Sequence, residues 1–401
     1  MPTPHRSPSN AAAPSDHRFN LPGVLAVSFA HLVHDIYSSF LAPLLPLLID
    51  KLAMTLTQAG LLSTVMQLPA LINPWVGSLA DRFSVRWLLV LAPVMTAVPM
   101  SLIGLAPTYG GLLMLVLVAG VSVSLFHVPA PVVVSRLSGR RKGMGMSLFM
   151  VGGEAARALG PLVAVGAVAV MGLEGIYPLM GASVVCSGLL FYATRDLPVT
   201  HSATTPVPLR QTWRDLRAIL LPISGILVAR GFMHACMTSF LPTFIAMHTG
   251  NLWLAGIGLT IFETAGVGGV LVAGTLSDRF GRRRVLIVSL LGAPASLLGF
   301  IWAQGWVAYV MLVFTGLTLL CTTPVMLALV QDRAGQSPSA ANGMFMMISF
   351  LARSAVVVIV GLIGDLLGLK SAFTIAALIG FSGLCFVFKL PTDDRYEHAI
   401  H

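Results

Sequence analysis

The chain has 401 residues, of which 56% are hydrophobic and only 10% charged, with a net charge of +9. A soluble domain is about 25% charged, so this chain has too little polar surface to cover itself in water, and a membrane is its expected solvent. The positive balance lies in short loops between apolar runs rather than on one basic face, which excludes a nucleic-acid partner from the expectation and fits the charge bias of a membrane protein.

Residues 1–20 are polar and rich in Pro and Ser, and they lack the apolar core and cleavage site of a signal peptide, so they are expected to form a disordered cytoplasmic tail. A spanning helix needs about 20 mostly apolar residues. About twelve such runs follow, near 22–49, 57–79, 87–107, 111–135, 143–170, 174–194, 218–247, 252–276, 285–303, 306–330, 341–365 and 370–390. The first and seventh exceed what a bilayer requires, and Pro43, Pro46, Pro222 and Pro242 are their expected kink sites. Arg82 and Arg86 follow the second run, Arg136, Arg140, Arg141 and Lys142 the fourth, Arg195, Arg210, Arg214 and Arg217 the sixth, Arg279 and Arg282 to Arg284 the eighth, and Arg333 the tenth. Alternating spans put all these loops on one side and leave Lys51 and Lys370 on the other, which predicts cytoplasmic termini.

One stretch is written twice. Residues 77–86 read Gly-Ser-Leu-Ala-Asp-Arg-Phe-Ser-Val-Arg, and residues 274–284 read Gly-Thr-Leu-Ser-Asp-Arg-Phe-Gly-Arg-Arg-Arg. Each copy closes the second run of its set of six, so the spacing predicts two pseudo-symmetric six-helix halves, 21–194 and 218–390. The polar, Pro-containing segment 195–217 is expected to be the cytoplasmic linker between them, and 391–401 a second cytoplasmic tail.

Twelve helices, a six-plus-six repeat and the doubled Gly-x-Leu-x-Asp-Arg resemble the major facilitator superfamily; the second copy fits its loop signature closely and the first departs at Ser84, where Gly is usual. Three further stretches resemble the fosmidomycin-resistance group of bacterial efflux proteins. They are Ala30-His31-Leu32-Val33-His34-Asp35, Ser124-Leu125-Phe126-His127-Val128-Pro129, and Gly143 through Gly152-Gly153 to Gly160-Pro161. The departures are His34 in place of Asn, Val128 inserted, and the charges Glu154 and Arg157. The resemblance implies an all-α membrane protein of the major facilitator fold in a bacterial inner membrane, with a monomer as the expected state. It also implies gating roles for Gly77, Asp81, Arg82, Gly274, Asp278 and Arg279, for which anchoring of the loop to the positive side is the plainer alternative. Gly160 and Pro161 resemble the helix-five Gly-Pro element of antiporters, against the simpler reading of close helix packing.

A charge at the bilayer centre costs about 2.5–3.5 kcal/mol on insertion scales. Asp35, Arg157, Arg230, Glu263 and Arg353 each lie about 11–14 residues into their runs, roughly 16–21 Å deep at 1.5 Å per residue, and Glu154 is one turn from Arg157. Three acids and three arginines at one depth predict a polar cavity. Asp35, Glu154 and Glu263, with His31 and His34 as a relay, are the candidate proton carriers. Arg157, Arg230 and Arg353, with His127 and His234, are the candidate substrate-binding groups, since guanidinium binds phosphate, phosphonate or carboxylate bidentately. A structural Glu154–Arg157 pair and singly hydrogen-bonded histidines are the simpler alternatives.

No metal is expected, because His31 and His34 at i,i+3 with a neighbouring carboxylate converge poorly, and no cofactor is expected. Cys186, Cys236, Cys321 and Cys385 all lie in apolar runs. The glycines of 266–269 sit inside an apolar run with no preceding strand, and the sequence has neither a nucleophile–base set nor a phosphate-binding loop, so no enzyme activity is expected. The expected activity is proton-coupled export of a small anionic or zwitterionic compound. Uptake of an organic anion with protons, or a non-transporting scaffold, are the alternatives.

Overall fold

The computed structural model describes residues 19–73, 85–127, 129–139, 141–195, 209–333 and 338–390, and within them every regular element is helical. The helices are α1 (Leu21–Ser38), α2 (Leu41–Leu52), α3 (Leu56–Gln67), α4 (Val85–Leu102), α5 (Tyr109–His127), α6 (Ala130–Leu137), α7 (Lys142–Met171) and α8 (Met180–Ala193). They continue as α9 (Leu209–Ala235), α10 (Leu241–Thr249), α11 (Leu252–Phe280), α12 (Arg282–Trp302), α13 (Trp306–Leu320), α14 (Thr322–Asp332), α15 (Pro338–Leu367) and α16 (Leu369–Val387). In lipid each backbone N–H and C=O must be satisfied within its own segment, which is why an apolar chain of this length resolves into helices.

Eleven helical stretches among the described residues are long and apolar enough to cross a membrane. A shorter one, Leu56–Ile72, occupies the start of the expected second span, whose remainder lies outside the described residues. The first copy of the doubled motif, with Gly77, Asp81 and Arg82, also lies outside them. In the second copy Gly281, between α11 and α12, has φ +88°, a backbone conformation suited to glycine. Of the expected linker, residues 209–217 are helical and form the first turns of α9.

Two of the four expected kink sites, Pro43 and Pro242, have a helix irregularity one turn before the proline, and Pro46 and Pro222 do not. A proline ring collides with the carbonyl four residues earlier. For Pro43 that residue is Ser39, where the first span breaks between α1 and α2, while Pro46 continues within α2. For Pro242 it is Thr238, inside a π turn at Cys236–Phe240. Pro222 runs inside α9 without a break in the helix.

The buried apolar residues form three clusters. One, around Val24, Leu89, Phe126, Val134 and Phe149, stays within α1–α8. A second, around Ile223, Leu286, Val325 and Phe345, stays mostly within α9–α16. The largest, with Phe40, Leu44, Phe240, Phe262 and Phe373, joins the two sets. Polar contacts also join α3 to α15. Asp365 on α15 accepts hydrogen bonds from the backbone N–H groups of Leu56 (2.6 Å) and Thr57 (2.8 Å) at the start of α3. Further along, Thr64 Oγ1 donates to Ser354 O at 2.8 Å. A methyl group on Gly361 would lie 2.4 Å from Leu56 O, so the two helices meet backbone to backbone. Large apolar side chains such as Val170, Leu271 and Leu366 are left on the outside, where acyl chains would cover them.

Candidate functional site

The site begins on α1. His31 and Asp35, at i,i+4, share one face, and α7 lies close against it. A Cβ on Gly152 would stand 2.3 Å from Ser28 O, and one on Gly153 would stand 2.5 Å from the His31 ring, so these glycines admit the contact. His31 stacks on Phe149 with ring centroids 4.1 Å apart, and its Nδ1–H donates to Phe149 O at 2.8 Å. His34, fully buried, stacks on Phe126 at 4.4 Å and bonds Thr96 Oγ1 through Nε2 at 2.9 Å. Thr96 donates on to Ser122 Oγ, and Ser122 to Ala92 O, both at 2.7 Å. His127 of α5 donates its Nδ1–H to Val123 O at 3.0 Å.

The three rings meet at Asp35. His31 Nε2 is 3.2 Å from Oδ2, His34 Nδ1 is 2.8 Å from Oδ1, and His127 Nε2 is 3.5 Å from Oδ1. His127, expected with the substrate groups, thus stands in the Asp35 cluster. Donor atoms of His31, Asp35 and His127 lie within 4.8 Å of one another, a combination of residues that can hold a metal ion. The sequence argument against convergence considered His31 with His34; the tertiary fold supplies His127 instead. Hydrogen bonding alone can account for the arrangement, and no metal is assigned to it.

A second group centres on Arg157 of α7. It pairs with Glu154 on its own helix and, through Nε, lies 3.6 Å from Glu263 Oε2 on α11, linking the two sets of helices. A cavity of about 170 Å³ opens beside it, lined by Arg157, Glu263 and Pro161 with Ser38, Ser39, Ser63, Gln67, Thr238 and Ser239. The Gly160 position that precedes Pro161 packs against Ser39, where a Cβ would stand 1.8 Å from Oγ.

The third group is basic. Arg230 of α9, 5% exposed, donates to Thr323 Oγ1 at 2.7 Å, and Arg353 of α15 lies over the Phe350 ring at 5.1 Å. Neither is in an ion pair among the described residues. The charges of Arg353, Arg230 and Arg157 all act on His234, whose Nδ1 is 3.3 Å from Thr238 Oγ1. The charges of Glu263, Glu154 and Asp35 act on Arg157 in turn, so these six charged side chains form one electrostatic neighbourhood divided into three contact groups.

This pattern of helices and buried charge is that of a known family, whose model, described as Major Facilitator Superfamily, matches residues 27–356 and 223–400. The chain belongs to the Major Facilitator Superfamily. It is therefore a multi-pass membrane transporter and not an enzyme. The fosmidomycin resistance protein of Escherichia coli strain K12 is 26% identical to it over 384 residues, 94% of each chain. An uncharacterized MFS-type transporter of Bacillus subtilis strain 168, YfnC, is 23% identical over 386 residues, 93% of this chain and 94% of its own. Among solved structures, a bacterial homolog of the human lysosomal transporter Spinster, inward-facing and occupied, superimposes with a TM-score of 0.79 at 13% identity, covering 91% of this chain and 95% of that one.

Of the residues expected to gate this superfamily member, Asp278 lies 3.9 Å from Arg282, which also pairs with Asp332 at the end of α14 at 2.9 Å. Arg279 lies over Phe280, and Gly274 falls within α11. Sequence reasoning missed Thr96, Ser122, Gln67, Thr323, Asp332 and Asp365. Hydroxyl and amide side chains are ordinary in spanning helices, and no spacing in the chain distinguishes these from the rest.

Proposed function

We propose that this superfamily member exports a small anionic or zwitterionic compound across a bacterial inner membrane in exchange for protons, by alternating access. The observation that carries the reading is a pair of guanidinium groups, Arg230 held by Thr323 and Arg353 held over Phe350, with no carboxylate in an ion pair with either among the described residues, beside an Arg157 that does pair with Glu154 and lies 3.6 Å from Glu263. A phosphonate, phosphate or carboxylate supplies the two-oxygen partner that a guanidinium fork takes. The acids supply the counter-ion: Arg157 now faces Glu154 and Glu263, and an arginine drawn to substrate leaves its carboxylates for a proton to neutralise, with Asp35 as the third candidate carrier. Substrate and proton then compete for the same charges. Export is favoured by the relative named a resistance protein. Asp278 and Arg279, by this reading, belong to a cytoplasmic gate, and the chain works as a monomer.

The test uses purified protein in liposomes of known orientation with a trapped pH dye. Phosphonates, phosphates, carboxylates and cationic drugs are added in turn. An anionic compound is expected to release protons. Full pH-driven transport in each of Asp35→Asn, Glu154→Gln and Glu263→Gln would overturn the coupling, and release by cationic drugs alone would overturn the substrate class.

A further inference from the structure

The hydrogen bonds around Asp35 fix which ring nitrogens carry protons. A carbonyl only accepts, so the contacts to Phe149 O and Val123 O require Nδ1–H on His31 and on His127. Thr96 has one hydroxyl hydrogen and gives it to Ser122, which gives its own to Ala92 O; Thr96 Oγ1 therefore accepts from His34, whose proton is on Nε2. Each neutral ring has then used its single N–H, and the three remaining nitrogens direct lone pairs at one carboxylate, across 3.2, 2.8 and 3.5 Å. Lone pairs facing lone pairs in a buried site repel unless something positive lies between them. One proton between His34 Nδ1 and Asp35 Oδ1 satisfies the shortest contact and makes the cluster neutral. It leaves Oδ2 and His31 Nε2 still facing each other, which is room for a second.

We propose that Asp35, His31, His34 and His127 form one proton store that holds at least one proton in this conformation, accepts a second, and exchanges with water through His127. The store deepens the proton-coupled reading given above. The groups facing Asp35 are His31 and His34 from α1 and His127 from α5, and the charge of Arg157 reaches it from α7; α4 contributes Thr96, which does not titrate. His127 is the port because its side chain is 37% exposed, against 5% for His31, 0% for His34 and 11% for Asp35. Loading and unloading need no movement of the buried rings, only a proton passing from His127 to the carboxylate and on to His34 or His31.

Nitrogen-15 NMR of the full chain in micelles, with labelled histidine, tests this. The expected spectrum has His31 and His127 protonated on Nδ1, His34 on Nε2, and one further, strongly hydrogen-bonded proton at His34 Nδ1. In His127→Gln that last signal persists but exchanges with water roughly a hundredfold more slowly, the lower end of what a positioned acid–base group contributes. His248, whose Nδ1 bonds Phe244 O at 2.8 Å outside the cluster, reports whether the variant is folded. A neutral His31 or His127 protonated on Nε2 overturns the proposal. So does unchanged exchange in a folded His127→Gln, or a spectrum altered by a chelator, which would mean a bound metal. The outcomes separate from those of transport: reversed ring protons with intact pH-driven transport remove the store and keep the coupling, and the converse keeps the store alone.

Discussion

The Asp35 cluster and the Arg230–Arg353 group stand at matching places in the sequence and are opposite in charge. Asp81 and Asp278 of the doubled motif are 197 residues apart. Nearly the same offset relates Asp35 to Arg230 (195), and His127 to Thr323, Glu154 to Phe350 and Arg157 to Arg353 (196 each). The contacts correspond as well. Asp35 meets His127 where Arg230 meets Thr323, and Arg157 pairs with Glu154 where Arg353 lies over Phe350. On the α1 side every charge has a charged or titratable partner within the protein. On the α9 side the same frame holds guanidinium against a hydroxyl and a ring, which satisfy its geometry but not its charge. Matching positions can therefore carry charges that are paired within the protein in one case and, among the described residues, left without an ion pair in the other.

That contrast can be broken most directly at Arg230. Arg230→Met is expected to weaken binding of the proposed anionic substrate by about a hundredfold or more, roughly 3 kcal/mol, as when one partner of a buried charge pair is removed. Isothermal titration calorimetry reads this; the same loss in Asp35→Asn, with none in Arg230→Met, would reverse the assignment of the two sides. Next in size is Asp365→Ala. Its carboxylate joins α15 to the start of α3 through two backbone hydrogen bonds, and bonds accepted by a charged group contribute about 1.5–3 kcal/mol. Removing it should shift the balance towards a state in which α3 and α15 have parted by roughly tenfold to a hundredfold, read by spin-label distances between α3 and α15.

The packing under the α1 side gives the third. Gly153→Ala places a methyl where the His31 ring lies, and overpacking of this kind costs about 1–3 kcal/mol. A lowered Tm and a displaced His31 resonance are expected, whereas Gly181→Ala, with open space around it, should change neither. The smallest effect belongs to Phe350→Leu, which removes the ring beneath Arg353 and about 0.5–2 kcal/mol of cation–π attraction. A severalfold weaker substrate Kd with unaltered Tm would sharpen the view that this ring only steadies the guanidinium.

That the chain is a series of long apolar helices was legible because it depends on composition and on 1.5 Å per residue, which are local properties. Partnership was not. Helical spacing predicts that Glu154 and Arg157 meet, but whether His127 turns towards Asp35 or towards substrate depends on how α5 is rotated against α1, and periodicity within one helix carries no such angle. Asp365 was hidden for a related reason: an acid at the end of an apolar run reads as a solvated boundary residue, and nothing near it in sequence signals the N–H groups of Leu56 and Thr57.

The π turn at Cys236–Phe240 carries a further consequence. Its wider loop of backbone accommodates a residue that a regular α-helix would not. Deleting one residue there would leave a segment still long enough to cross the lipid, yet would swing everything before it by about 100° relative to Leu241 onwards, the angle of one α-helical step. Arg230 and His234 would then face a different neighbour altogether. This part of the chain is accordingly intolerant of shortening in a way that length and hydrophobicity do not reveal, and its extra residue acts as a phase setting for Arg230 and His234.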